Sequence, residues 1–232
     1  RDSRARLAAR GRVAVLSPLT PRTEGAVVKR LVIFDCDGVL FRSERANVAF
    51  YNEVLRRLGE PAMGGSGEAN CHALASSQLF ESLFADRPEL AERARSIAQA
   101  LDYGPYYALM SPQRDLYEVL ASLRGDYRLA MATNRGRTAA EVVRRFALDR
   151  YIELTVGVLD VVRPKPHPDM LERCLGHFGF EPEAALYVGD QQIDADAAFA
   201  AGVSFVAVGA TVKFSANRID SLGDLLRLIP KL

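Results

Sequence analysis

Four short apolar runs, Leu31–Cys36, Tyr127–Thr133, Ala185–Gly189 and Ser204–Val208, constrain the fold of this chain more than any other feature. They are nearly continuous rather than alternating with polar residues, and they are rich in β-branched side chains. Such runs need cover on both faces, which is the situation of parallel strands inside a sheet. A fifth, weaker run spans Ile152–Val158. Between the runs lie helical patterns. Arg114–Leu123 places Leu116, Val119, Leu120 and Leu123 on one face, Thr138–Phe146 and Asp169–Phe178 are similar, and Ile193–Ala201 runs into Gly202 as a natural C-terminal cap. Strand and helix in alternation predict an α/β fold, a parallel sheet with helices on both faces.

The alternation fails between about Ser43 and Met110, where no strand pattern occurs. Three helical patterns stand there instead: Glu44–Leu58, His72–Ala85 and Pro88–Asp102. The last carries Leu90, Ala91, Ala94, Ile97, Ala98 and Leu101 as one apolar stripe. A helical block placed directly after the first strand reads as an inserted cap, so we expect a core of residues 28–43 and 111–232 and a cap of residues 44–110. Residues 1–27 differ in composition, with six arginines against two acids. We expect them to be a disordered extension or a start-site artefact, with an organellar transit peptide as the other reading. The net charge of +1 gives no reason to expect nucleic acid or an anionic membrane as partner, and no apolar stretch approaches the length needed to span a bilayer. Cys36, Cys71 and Cys174 form no metal spacing and read as reduced thiols of a cytoplasmic protein.

In a parallel sheet, ligands bind beyond the carboxyl ends of the strands. The first run ends in Asp35-Cys36-Asp37-Gly38 and the second in Thr133-Asn134. Arg163-Pro164-Lys165-Pro166 follows the weaker run, and the next ends in Gly189-Asp190, with Asp194 four residues on. Acids, a hydroxyl, an amide and an amine are the groups that phosphoryl transfer uses: a nucleophile, oxygen ligands for a hard cation, and donors for phosphate oxygens.

With these four motifs in this order, the chain resembles the haloacid dehalogenase-like superfamily from about Val28 to Val208. The position of the helical insert is similar to the subfamily that includes phosphoglycolate phosphatases and β-phosphoglucomutase. The resemblance implies a Rossmann-like core and a Mg²⁺-dependent phosphatase that acts on a small-molecule phosphate ester through an aspartyl-phosphate. It implies Asp35 as nucleophile, and Asp37 as the acid and base that also lends its backbone carbonyl to the metal. Thr133, Asn134 and Lys165 would bind phosphate, Lys165 also stabilising the transition state. Asp35, Asp37 and Asp190 would hold Mg²⁺, while Asp194 would orient Lys165 or a metal-bound water.

A phosphomutase of the β-phosphoglucomutase type uses the same residues and is the alternative. A non-catalytic relative that only binds a phosphorylated ligand is a further one. A signalling receiver domain fits poorly, because here the paired acids close the first strand and a large insert follows. Hinges are expected near Phe41–Ser43 and Met110–Gln113, with Arg42 or Ser43 recognising the leaving group. The expected assembly is a monomer or homodimer.

Overall fold

A computed structural model describes residues 29–213 and 215–232. The extension expected over residues 1–27 lies outside the described residues.

The chain enters the sheet with β1 (Leu31–Phe34), whose four residues are fully buried. Val32 and Phe34 join one apolar cluster, and Leu31 and Ile33 the other, so each face of the strand fills a different core. A tight turn leads to β2 (Phe41–Arg42) and then to the helical insert. Its helices are α1 (Glu44–Leu58), α2 (Ser66–Ala73), α3 (Ser76–Leu83) and α4 (Pro88–Ala100). The helix α1 runs as its periodicity predicts and stops at Gly59, whose φ of 84° supplies the left-handed cap. The single helix expected over His72–Ala85 is two. The chain breaks at Leu74 and restarts after Ala75, whose backbone N–H donates to Gln78 Oε1 at 3.0 Å. The loop expected at Tyr103–Pro105 continues as a 3₁₀ turn over Gly104–Leu109.

The chain returns through β3 (Ser111–Pro112), antiparallel to β2 with Arg42 opposite Ser111. The rest alternates as expected: α5 (Leu116–Leu123), β4 (Arg128–Ala132), α6 (Thr138–Arg145), β5 (Leu154–Val156), α7 (Asp169–Phe178), β6 (Ala185–Gly189), α8 (Gln192–Ala201) and β7 (Ser204–Val208). A two-residue strand, β8 (Arg218–Ile219), and a short helix, α9 (Leu225–Leu228), follow. The six-stranded sheet has the order β5-β4-β1-β6-β7-β8, and every pairing in it is parallel. After β1 the chain builds one half of the sheet, and from β6 onward it builds the other. The crevice at the carboxyl ends of β1 and β6 is therefore the topological switch point, where such sheets bind ligands.

Among the described residues, no helix is long and apolar enough to cross a membrane. Cys36, Cys71 and Cys174 are all buried.

Candidate active site

Three strands of the sheet centre end in polar residues, and the fold brings these together. Asp35 follows β1, Thr133 follows β4 and Asp190 follows β6. Lys165 reaches the same place from the loop before α7. Its side chain is 2% exposed, so its ammonium has lost water and must be surrounded by acceptors. It is: Nζ donates to Asp35 Oδ1 at 2.7 Å, Asp194 Oδ1 at 2.7 Å and the Tyr187 hydroxyl at 2.9 Å, with the Ala132 carbonyl at 3.3 Å. The two carboxylates hold Lys165 above the ordinary lysine range against the opposing effect of burial.

Each oxygen of Asp194 accepts two hydrogen bonds. Besides Lys165, its Oδ1 accepts from the Tyr187 hydroxyl at 2.9 Å, and its Oδ2 accepts from the backbone N–H groups of Asp190 and Gln191. Those last bonds satisfy donors at the start of α8, the usual task of an acid in the first turn. Tyr187, fully buried in β6, was not singled out in the sequence because it reads there as one more core residue. Its position two residues before Gly189, facing the same side of the strand, is the one available signal.

Asp35, Asp190 and Asp194 each offer an oxygen, and these oxygens all lie within 4.8 Å of one another. Burial, together with the neighbouring carboxylates, pushes Asp35 up to about 7 and Asp190 up to about 8. Asp190 Oδ1 is buried with no hydrogen-bond partner among the described residues. An orphaned carboxylate oxygen beside a second acid, in an all-oxygen donor set, fits a hard divalent cation such as Mg²⁺. The approach is tight, since a Cβ on Gly38 would sit 2.2 Å from Asp190 Oδ2. Only glycine fits there, and its φ of 82° favours glycine as well.

Asp37 lies in a different environment. Arg135 grips it with two bonds, Nε to Oδ2 at 2.7 Å and Nη2 to Oδ1 at 2.6 Å, and both side chains are buried. Ser43 Oγ also donates to Oδ1, as does Asn47 Nδ2 at 3.4 Å. Burial pushes Asp37 up, but Arg135 and these hydrogen bonds outweigh it and hold the carboxyl below the usual carboxylate range. Arg135 also stacks against the Tyr103 ring, 5.3 Å from its centroid, and so joins the strand end to the insert. Nothing local in the sequence marks Arg135 as the partner of an acid 98 residues away.

Three expected residues remain: Asn134, Arg42 and Ser43. Asn134, expected to bind phosphate through its amide, clasps the backbone of Lys165: Oδ1 accepts from its N–H at 3.1 Å and Nδ2 donates to its carbonyl at 3.3 Å. Arg42, expected at the leaving group, is exposed on β2 and does not line the cavity, because the ribbon turns it to solvent. Ser43 is buried against Asp37 and does not line it either. Thr133, Asn134 and Lys165 do line it.

The cavity over these groups measures about 430 Å³ and is walled by the sheet ends below and by α1, α3 and α4 of the insert. Its chemistry is divided. The base holds Asp35, Asp37, Lys165 and Thr133, whereas Phe50, Tyr51, Leu74 and Leu159 make much of the wall apolar.

The haloacid dehalogenase-like hydrolase family model matches residues 32–208. The tyrosine-protein kinase PtkA of Mycobacterium tuberculosis is 32% identical over 184 residues, 78% of this chain. The match spans 62% of that relative's length. Phosphoglycolate phosphatase 1 of Pseudomonas aeruginosa is 30% identical over 218 residues, covering 85% of this chain and 78% of that protein. A crystal structure of a subfamily IA hydrolase of the superfamily, from Geobacter sulfurreducens, matches with a TM-score of 0.69 and 35% identity, covering 88% of this chain and 98% of that one.

Proposed function

We infer the activity of this chain from its family and its site: it belongs to the haloacid dehalogenase-like hydrolases, and it is a phosphatase of that type, hydrolysing a small phosphorylated metabolite. The observation that carries this reading is the contact of Lys165 Nζ with Asp35 Oδ1 at 2.7 Å, at the carboxyl ends of the sheet beneath a cavity partly roofed by the insert. A carboxylate that must attack an anionic phosphorus needs positive charge beside it, and here that charge is fixed in place by the Asp194–Tyr187 bonds. The relative from P. aeruginosa, named as a phosphoglycolate phosphatase, supports hydrolysis of a phosphate monoester.

In the reaction, an Asp35 oxygen bonds to phosphorus while the bond from phosphorus to the leaving oxygen breaks, giving an aspartyl-phosphate. Thr133 and Lys165 hold the phosphate oxygens during transfer. Asp37 protonates the leaving oxygen, then takes a proton from the water that hydrolyses the acyl phosphate. To do so it must first give up part of its bonding, since every group on its two oxygens is now a donor. Arg135 occupies both oxygens and is the group that has to move. Asp35, Asp190 and the Asp37 backbone carbonyl would hold Mg²⁺, with Asp194 orienting Lys165. When bound, the ion offsets the repulsion between carboxylate and phosphate and stabilises the charge of the transferring group.

Residues 44–110 act as the cap over the site, with hinges at Phe41–Ser43 and Met110–Gln113, and their closure excludes water. The protein acts in the cytoplasm, where its buried cysteines are at home, and the assembly is a monomer or homodimer.

The test is hydrolysis of an aryl phosphate with Mg²⁺ by the wild type and by Asp35→Asn. The variant should keep the circular dichroism and thermal transition of the wild type while losing at least about 1,000-fold in kcat, a loss of about 4 kcal/mol in transition-state stabilisation. Activity surviving in the variant overturns the assignment.

A further inference from the structure

The cavity is lined by four cationic side chains, and three of them are already matched by acids. Lys165 pairs with Asp35 and Asp194, Arg135 with Asp37, and Arg95 with Glu81 and Glu92. Arg137 is the fourth, and among the described residues no carboxylate pairs with it. Its bonds go to main-chain oxygens of the insert: Nη2 donates to the Ala98 carbonyl at 3.2 Å and to that of Leu101. These carbonyls lie at the C-terminal end of α4, which offers a cation only a partial negative charge. A guanidinium carries five N–H donors in a fixed fork. Arg137 is exposed at the cavity and its Nε and Nη1 make no hydrogen bond among the described residues, so it keeps charge and donors for a ligand.

The position of Arg137 matters as much as its charge. The phosphate-binding groups Thr133 and Lys165 belong to the strand ends, whereas Arg137 is tied to the insert wall. Arg95 and Ala98 stand a turn apart on that wall. The lining also carries apolar groups, Phe50, Tyr51 and Leu74 from the insert and Val158 and Leu159 from the sheet side, interleaved with Ser76, Ser77 and Gln99. A volume of about 430 Å³ falls in the roughly 300–1,000 Å³ range of pockets that enclose drug-sized ligands. A leaving group as small as glycolate would leave much of this apolar wall uncovered.

We propose that the substrate is a phosphate monoester whose leaving group has a ring-sized apolar body and ends in a second anion, a carboxylate or phosphate, received by Arg137. This rests on the phosphatase reading above. The phosphoryl group lies against Asp35 and Lys165, the body against Tyr51 and Leu159, and the distal anion against the free fork of Arg137. Because Arg137 also ties the strand-end loop to α4, a ligand bound there touches both halves of the cavity at once. Arg137 is thus a specificity-determining residue.

The experiment compares 4-carboxyphenyl phosphate with its neutral counterpart 4-carbamoylphenyl phosphate, and both with 2-phosphoglycolate, using the full chain with Mg²⁺. The wild type should favour the carboxylate ester over the amide by about tenfold or more in kcat/KM, equivalent to about 1.4 kcal/mol, with the difference in KM. Arg137→Gln should bring that ratio close to one, and Arg137→Lys should keep most of it. The ratio is the readout, because any loss of closure in the variants lowers both esters alike. Equal turnover of the two esters by the wild type overturns the inference, as does an unchanged ratio in Arg137→Gln. Hydrolysis of 2-phosphoglycolate alone overturns it too, but leaves the phosphatase reading standing. Hydrolysis of none of the three esters overturns both.

Discussion

Arg135 and Asp37 form a buried ion pair in which, among the described residues, each side chain is the other's only full counter-charge. Taking two charges out of water is costly, and removing one partner leaves the other uncompensated. Arg135→Met should therefore destabilise the fold by about 3–5 kcal/mol, read from urea unfolding near neutral pH. Pairing it with Asp37→Asn should recover much of that loss, because the stranded charge is then gone. Additive losses in this double-mutant cycle would show that the pair is not coupled. The donor count has a catalytic side as well. Ser43, Asn47 and Arg135 all donate to Asp37, so the carboxyl is held as an acceptor until Arg135 moves.

The loop after β1 shows how elements crowd to make the site. Gly38 lies so close to Asp190, at the end of β6, that its missing side chain is part of the construction. Gly38→Ala should cost about 2 kcal/mol or more in stability and lower kcat over tenfold, because the new methyl displaces Asp190. Gly59→Ala is the matched control: its φ is 84°, but nothing lies within 4 Å of the added carbon. It should cost about 1 kcal/mol and leave kcat unchanged. Equal kinetic effects would mean that backbone strain, not contact with Asp190, sets the outcome.

At this scale the sequence was legible where periodicity was long. The limits of α1, α7, β6 and β7 fell where the apolar pattern and the terminal glycines put them. Two-residue strands such as β2, β3 and β8 have no period to read, and the gap between α2 and α3 is marked by a single bond, donated by Ala75 N–H to Gln78 Oε1. Residues at strand ends announced themselves as polar groups after apolar runs. Arg135 and Tyr187 did not, since their roles come from partners brought close only by folding.

Over the whole molecule, the gathering of acids at the sheet centre makes stability depend on pH and on cations. Asp35 and Asp190 stand at about 7 and about 8, above the ordinary carboxylate value near 4. Between about pH 4 and about pH 8 the folded state thus binds more protons than the unfolded chain, and stability falls as pH rises. This contribution is fully present below the lower value and is lost through the upper ones. In EDTA, Tm should drop from about pH 5 to about pH 8, and Asp190→Asn should flatten the fall. Mg²⁺ should raise Tm more at about pH 8 than at about pH 5, because at the lower pH it must displace protons. A Tm that ignores both pH and Mg²⁺ would contradict this account. The ribbon of β2 and β3 has a consequence of another kind. Its paired strands bring Arg42 and Ser111 opposite each other, so residues 43–110 leave and rejoin the sheet-bearing part at a single joint. A segment with adjacent ends can be exchanged for one of another length without rethreading anything else. Heredity can then act on the two parts separately, keeping the chemistry of the strand ends while trying one roof after another above it.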